Sequence, residues 1–355
     1  MPPKPPTPPS KPLSLEQTLA RFSRVRVTLL GDLVADHYIY GRSERISREA
    51  PVLVLKHEGS ELKPGGGANV AANIRSLGGH VTAVGVLGKD EMGRRLSQRM
   101  AKAGIQVEAV SAASLKTETK TRILAGAEGT TLQQMLRIDS APQPLPKALR
   151  RRLALKLEGA LKGSHVAVVS DYGAGALCPE TCEVLAGFAA CGGKLCIDSR
   201  YGLLSIRGAS VCKPNEPELQ ALTQMPTQTP GQLRAAAHRA LELLSCEWLL
   251  TTRGKAGMAL FHASGEELFL PVHGPEVAVD ATGAGDTVMA GFALAFAASN
   301  SAFLAARLAN IAGALVVQKQ GTATVCKKEL SEEMRRTLPE KRTLRGKLPR
   351  KAADV

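Results

Sequence analysis

Near the end of the chain, VDATGAGDTVMAGFALAFAAS (residues 279–299) puts a carboxylate directly after a turn of small residues. Gly283, Ala284 and Gly285 leave room for backbone amides to converge on an anion, and the helix that follows adds the positive end of its dipole. Asp286 stands beside that hole. An anion hole with an adjacent base is what phosphoryl transfer to a hydroxyl requires: the amides stabilise charge on the transferred oxygens while the carboxylate takes the hydroxyl proton. The same residues would equally make a glycine-rich helix start capped by Asp286. There is no GxxxxGK(S/T) sequence, and the spacing is not GxGxxG, which argues against a Walker-type loop and a dinucleotide fold.

Four other stretches carry chemistry of the same kind. In KPGGGANVAANI (63–74), Gly65 and Gly66 allow close backbone approach to a ligand, and Asn69 could offer its amide to a polyol or cap the helix. In GDLVAD (31–36), Asp32 and Asp36 could accept hydrogen bonds from sugar hydroxyls, or could be solvated turn acids. In KPNEPEL (213–219), Asn215 and Glu218 could position a water-coordinated Mg²⁺ near phosphates, with Lys213 in reach of one. Asn-x-x-Glu before an apolar run is also a capping box. TTRGKAG (251–257) is a strand end turning on glycine, suited to backbone contact with a nucleotide.

The elements that must position these residues alternate. Apolar runs at 24–32, 80–88, 165–173, 194–200, 209–215 and 247–254 end in Gly, Asp, Asn or Arg, and helical patterns such as 69–79 and 90–104 lie between them. Such alternation predicts an α/β fold with a mostly parallel sheet covered on both faces. Ligands in such sheets bind outside the carboxyl ends of the strands, where Asp32, Asp171, Asp198, Asn215 and Arg253 fall. Residues 37–58 and about 105–140 break the pattern as short, partly alternating strands. They are expected to form one small β-sheet serving as a lid.

The order GD, GGGAN, NxxE, TRG, DATGAGD resembles the ribokinase/PfkB family of carbohydrate kinases over essentially residues 24–326. The resemblance implies a ribokinase-like three-layer α/β/α sandwich with a mostly parallel sheet and a small β-sheet lid, and an ATP- and Mg²⁺-dependent phosphotransfer to an alcohol. It makes Asp286 the base, with Gly283, Ala284 and Gly285 as the anion hole. Asn215 and Glu218 would serve magnesium and phosphate. Thr252, Gly254, Gly257 and Asn310 would line the nucleotide site, and Asp32, Gly65, Gly66 and Asn69 would hold the sugar. Asp280 and Thr282, with Gly321, match the neighbourhood where many members hold a monovalent cation, K⁺ being the expectation.

GDLVADHYIYGRSERISREAPVLVLKHEGSELKPGGGANVAANI, TKTRI, QQMLRID, SDYGAGAL and ANIAGALVVQKQGTATV are similar to the kinase half of the bacterial heptose 7-phosphate kinases of lipopolysaccharide-core synthesis. That family phosphorylates C1 of D-glycero-β-D-manno-heptose 7-phosphate. Lys120 and Arg122 alternate on a lid strand and so share a face. With Arg137, or with Arg42 and Arg45, they could pair with the terminal phosphate or form a solvated charged face. Ala174 stands where the family has a lysine, and Asp198, Ser199 and Arg200 stand where it has Asp-Pro-Lys. Lys213 replaces a usual threonine and can restore a positive charge. The resemblance also implies a homodimer through the lid. Because no HxGH motif occurs, a separate nucleotidyltransferase would be needed for adenylylation. The alternatives are a PfkB-type kinase for another sugar, sugar phosphate or nucleoside, and a catalytically silent sugar- or nucleotide-binding protein.

The 355 residues carry a formal net charge of +14, and nine of those charges fall in residues 1–26 and 327–355. That distribution weakens a nucleic-acid function. Residues 1–23 are expected to be a flexible, proline-rich leader and 327–355 a basic tail, flanking a kinase domain at 24–326. No run approaches the ~20 apolar residues of a membrane span. Seven cysteines without a CxxC pair, and no apolar signal core, suggest reduced thiols and a cytoplasmic protein.

Overall fold

The computed structural model describes residues 13–127, 131–140, 143–275 and 277–337. Ser14 starts the first helix, α1 (Leu15–Ala20), through a capping box with Gln17. A 3₁₀ turn (Arg21–Arg24) leads into β1 (Arg26–Gly31). At Asp32 the chain leaves the main sheet for a long hairpin, β2 (Leu33–Ile46) and β3 (Leu53–Gly66). It returns through α2 (Gly67–Ser76), β4 (His80–Val86), α3 (Glu91–Lys102) and β5 (Gln106–Val110). A second excursion makes β6 (Thr119–Gly126) and β7 (Gln133–Asp139). Then follow α4 (Lys147–Leu161), β8 (Val166–Asp171), α5 (Pro179–Ala190), β9 (Leu195–Ser199), β10 (Val211–Cys212), α6 (Glu216–Thr223), α7 (Pro230–Leu244) and β11 (Trp248–Thr252). A hairpin of β12 (Met258–His262) and β13 (Glu267–Leu270) precedes α8 (Ala284–Ser299), α9 (Ala302–Val316) and α10 (Lys327–Thr337).

The main sheet has nine strands in the order β13-β12-β11-β10-β9-β8-β1-β4-β5. It is parallel from β5 to β11 and antiparallel at the β11–β12–β13 edge. Side-chain alternation sorts its strands onto two cores. On β8, Val166 and Val168 join Phe292 and Leu294 of α8, whereas Ala167 and Val169 join Leu153 and Leu157 of α4. Helices α1, α2, α3, α8, α9 and α10 therefore cover one face and α4 to α7 the other. Burial on both faces explains the uninterrupted VAVV run, each such side chain contributing about 1.5–3 kcal/mol. The lid is a separate sheet, β3-β2-β6-β7, in which β2 runs antiparallel to β3 and parallel to β6.

The structure moves several sequence-based expectations. Residues 13–23 are not a flexible leader: Leu15, Leu19 and Phe22 are buried in the α8 face of the core. The rest of the expected leader, 1–12, lies outside the described residues. The basic tail likewise begins as a packed helix, because Leu330 and Met334 of α10 are buried, while 338–355 lie outside the described residues. The strand at 106–110 extends the main sheet beside β4 rather than the lid. No α-helix separates β9 from β10, only a 3₁₀ turn (Leu203–Ser205). The β12–β13 hairpin was not anticipated. The seven cysteines are free thiols, and among the described residues no helix is long and apolar enough to cross a membrane.

Candidate active site

The carboxyl ends of β1 and β8, the start of α2 and the start of α8 meet at Asp286. Gly283 is the N-cap of α8, in the left-handed region at φ +78°, and Asp286 falls in the first helical turn. Asp286 is not the helix cap. Its side chain is 3% exposed and is held from two sides: Asn69 Nδ2 donates to Oδ2 at 2.8 Å, and the Tyr172 hydroxyl donates to Oδ1 at 2.7 Å. Burial pushes its pKa up to about 7, against the opposing pull of those two hydrogen bonds and of Lys213. A carboxyl group balanced between its two protonation states near neutral pH is suited to general-base work.

Asn69 is not a helix cap either. The N-cap of α2 is Gly66, at φ +52°, and Asn69 lies one turn inside, buried. Asn73 Nδ2 donates to Asn69 Oδ1, which leaves the Asn69 amide nitrogen turned to Asp286. Asn73 in turn accepts from the Thr287 hydroxyl and the Val325 N–H.

The glycines flanking the base leave space that neighbours occupy. A Cβ on Gly283 would lie 2.6 Å from Asn69 Nδ2, and one on Gly285 would lie 3.4 Å from Lys213 Nζ. Lys213 is 4% exposed and pairs with Asp198 at 2.9 Å. Burial disfavours its charge, but Asp198, aided by Glu218 and Asp286, holds its pKa above the ordinary lysine value. A buried ammonium therefore stands beside the N-terminal turn of α8, where an anion would be bound.

Asp32, the expected sugar acceptor, stands at the carboxyl end of β1, facing the turn that follows β8. Its carboxylate already accepts the backbone N–H groups of Tyr172 and Ala174 on Oδ2 and of Ala176 on Oδ1. Burial outweighs these bonds and raises its pKa. The departure at Ala174 thus falls on a residue whose N–H holds Asp32. Asp36 accepts from Arg122 and from the Thr322 hydroxyl, both at 2.7 Å, and its carboxylate lies against Gly65.

On the lid, register brings Asp36, Lys120 and Asp139 into one row and Tyr38, Arg122 and Arg137 into the next. The three expected cations thus share a face, but each has an acid. Arg122–Asp36 is a buried pair, Lys120 lies 3.7 Å from Glu118, and Arg137 bonds Asp139 through two nitrogens at 2.7 Å on the exposed edge strand. Arg42 of the first lid segment pairs with Glu58 at 3.9 Å.

Asn215 and Glu218 make the capping box of α6, the simpler of the two sequence alternatives. Glu218 Oε2 accepts the Asn215 N–H, leaving Oε1 for another partner. Thr252 lies next to Asn215 in a parallel bridge. Gly254 and Gly257 turn at φ +52° and +81°, and a Cβ on Gly257 would meet the Leu270 carbonyl. Asn310 donates to the Pro271 carbonyl at 2.8 Å, so these groups border one surface at the hairpin end. Asp280 accepts the N–H groups of Thr282 and Gly321. These bonds outweigh burial and lower its pKa. Among the described residues no group of three His, Cys, Asp or Glu side chains is arranged to hold a metal. A cavity of about 750 Å³ at the opposite end of the sheet, lined by Lys194, Trp248 and Phe303 among others, contains none of these residues.

Tyr172, Asn73 and Thr322 touch the Asp286, Asn69 and Asp36 side chains and were not singled out from the sequence, whereas Asp198, the partner of Lys213, was placed at the ligand end of its strand. Of the first three, only Tyr172 carried a signal, an aromatic inside the glycine-rich turn SDYGAG.

The model of pfkB family carbohydrate kinases matches residues 26–329. The chain is 38% identical over 335 residues to the bifunctional protein HldE of Azotobacter vinelandii, covering 94% of this chain and 68% of the relative. It is 39% identical over 314 residues to that of Hahella chejuensis, covering 88% and 64%. The chain thus spans about two thirds of the length of these relatives. Among solved structures, Escherichia coli phosphofructokinase-2 in complex with substrates and products superposes with a TM-score of 0.72 at 21% identity, covering 88% of this chain and 99% of that one. Arabidopsis thaliana ribokinase complexed with ribose and ATP gives 0.65 at 21% identity, covering 87% and 98%. These two likenesses show the fold, a ribokinase-like α/β architecture.

Proposed function

The chain belongs to the pfkB family of carbohydrate kinases, and from that premise we propose that it transfers the γ-phosphoryl group of ATP to the C1 hydroxyl of D-glycero-β-D-manno-heptose 7-phosphate. An ATP-dependent carbohydrate kinase activity follows from the family; the heptose acceptor is the narrower statement. The observation that carries the reading is the Asp286 carboxylate gripped by Asn69 and Tyr172 beside Gly283, Gly285 and the Lys213 ammonium. The 38–39% identity to HldE proteins supports the choice of sugar.

In this reading the sugar lies between the lid and the carboxyl ends of β1 and β8. Asp286 takes the hydroxyl proton as the sugar oxygen bonds to phosphorus. The bond from phosphorus to the bridging oxygen breaks, and ADP leaves with the electron pair. The amides at the start of α8 and Lys213 stabilise the transferring oxygens. Closure of the lid excludes water, which would otherwise accept the phosphoryl group.

Mg²⁺ fits the donor set: Glu218 keeps one free oxygen, and an ion carried mostly by phosphates and water needs few protein ligands. It would neutralise phosphate charge. The turn joining Asp280, Thr282 and Gly321 is where a monovalent cation would be expected.

For the 7-phosphate, exchange of partners decides which cations take part. Arg137 pairs with Asp139 in the open, where an ion pair contributes roughly 0–1 kcal/mol. Breaking the buried Arg122–Asp36 pair would cost about 3–5 kcal/mol. Arg137 therefore exchanges its partner for the phosphate, Lys120 adds its charge from the same face, and Arg122 braces the root of the lid. Leu53, Leu136 and Ile138 of the lid are 47%, 53% and 55% exposed, and we assign their cover to the lid of a second copy. The cytoplasm is the compartment we assign, and a separate nucleotidyltransferase is the partner that would act on the product.

The test is an acceptor screen. Purified protein is assayed for ADP release with phosphorylated and neutral heptoses, hexoses, pentoses and nucleosides, and the phosphorylated carbon of the product is assigned by NMR. Preference for the heptose 7-phosphate with a C1 product is expected; preference for another acceptor would replace the heptose assignment.

A further inference from the structure

Tyr172 follows the last residue of β8 and is carried into the cleft by the turn whose N–H groups grip Asp32. The lid residue Lys120 places its Nζ 4.8 Å from the centre of the ring. Burial, with the Asp286 charge beside it, keeps the phenol protonated far above its ordinary range. A buried tyrosine hydroxyl needs a partner, and here the partner is the Asp286 carboxylate at 2.7 Å.

We propose that Tyr172 is a positioning residue for the transfer reaction, fixing the orientation of the Asp286 carboxylate and favouring its charged form by donating a hydrogen bond to Oδ1. The inference rests on Asp286 being the base. The physical case is one of balance. Burial, and the Asp198 charge from β9, drive Asp286 toward its neutral form; two donors on separate elements and the Lys213 ammonium before α6 resist that drive. Asn69 acts from α2 and Tyr172 from the end of β8, one on each oxygen, so neither can replace the other. Each carboxylate oxygen retains a lone pair, which leaves Asp286 able to accept the sugar hydroxyl while both donors stay in place. Because Asp286 titrates near neutral pH, losing one charge-assisted donor shifts the protonated fraction where the enzyme works.

The experiment compares the wild type with Tyr172→Phe and with 3-fluorotyrosine placed at position 172, measuring kcat and ATP affinity against pH. Removing the hydroxyl is expected to move the acid limb of kcat upward by about one pH unit, with ATP affinity unchanged. The fluorinated phenol keeps the shape and donates more strongly, so its limb is expected to move downward. A limb coincident with wild type in both proteins, or moving in the same direction in both, would overturn the proposal. Should Tyr172→Phe fail to fold, the direction of the fluorotyrosine shift decides alone. Asp286→Asn separates the two levels. If that variant retains turnover, the base assignment fails and this inference with it. If it is inactive while both Tyr172 proteins keep the wild-type limb, only the positioning role is lost.

Discussion

Asn69 Nδ2 lies 2.8 Å from Asp286 Oδ2, so the helix that follows the lid hairpin holds the carboxylate at the start of α8. The two residues are far apart in sequence and come together because α2 and α8 pack on the same face of the sheet. Asn73 holds Asn69 in turn. A buried carboxylate near neutral pH is thereby kept in one geometry by groups that the sugar does not have to displace.

Asn69→Ala should lower kcat about 10–100-fold, the usual range for a lost hydrogen bond to a charged group. ATP affinity should change less than kcat, because Asn69 donates to the base and not to Thr252, Gly254, Gly257 or Asn310. Asn73→Ala should act in the same direction and more weakly. Steady-state kinetics with ATP and acceptor varied separately would check both.

Asp286 should cost the fold stability above neutral pH. Its pKa rises from 3.8 to about 7 on folding, so the folded state binds more protons than the unfolded chain between those values. The contribution of this group to stability therefore falls as pH rises through that window and is fully unfavourable above it, by up to about 4 kcal/mol. Asp286→Asn should melt at a higher temperature than wild type at pH 8, with the gap narrowing toward pH 4. Melting curves across that range test the sign.

The two glycines on either side of Ala284 should fail differently. Gly283→Ala forces a side chain into φ +78° and against Asn69, so it should lower stability by about 1–3 kcal/mol and displace the donor to the base. Gly285 sits inside the helix with no such backbone demand. Gly285→Ala should fold at least as stably yet lose turnover, because its methyl enters the space beside Lys213. Melting temperature and kcat measured on both variants would separate strain from obstruction.

The lid cations should divide by burial. Arg137→Ala should raise KM for a phosphorylated acceptor several-fold and leave a neutral sugar unaffected, whereas Lys120→Ala, which also uncovers the Tyr172 ring, should weaken turnover of both. Arg122→Ala should instead destabilise the protein by about 3–5 kcal/mol, since it leaves Asp36 buried without its partner. Paired kinetic and urea-unfolding measurements distinguish the two outcomes.

The parallel sheet was legible because its strands are continuous apolar runs that stop on Asp, Asn or Gly, and the same stops marked the ligand end. What sequence could not show was pairing across long separations. Arg122 reads as a surface cation on an alternating strand, but the parallel register of β2 and β6 sets it beside Asp36 and buries both. Tyr172 looks like part of a turn until α8 brings Asp286 to its hydroxyl. Asp32 at a strand end reads as a ligand acceptor, and the three N–H groups that the turn after β8 supplies to it come from residues 140–144 positions away, beyond any local pattern. The capping box at Asn215 was visible locally, and it formed as the spacing predicts.

Phosphoryl transfer in this protein depends on Asp286 as the proton acceptor. The most direct measurement is single-turnover ADP formation by Asp286→Asn, alongside its ATP affinity by calorimetry. A fall in rate of at least about 10²-fold, with ATP binding near wild type, is the predicted result. Turnover close to wild type would contradict it.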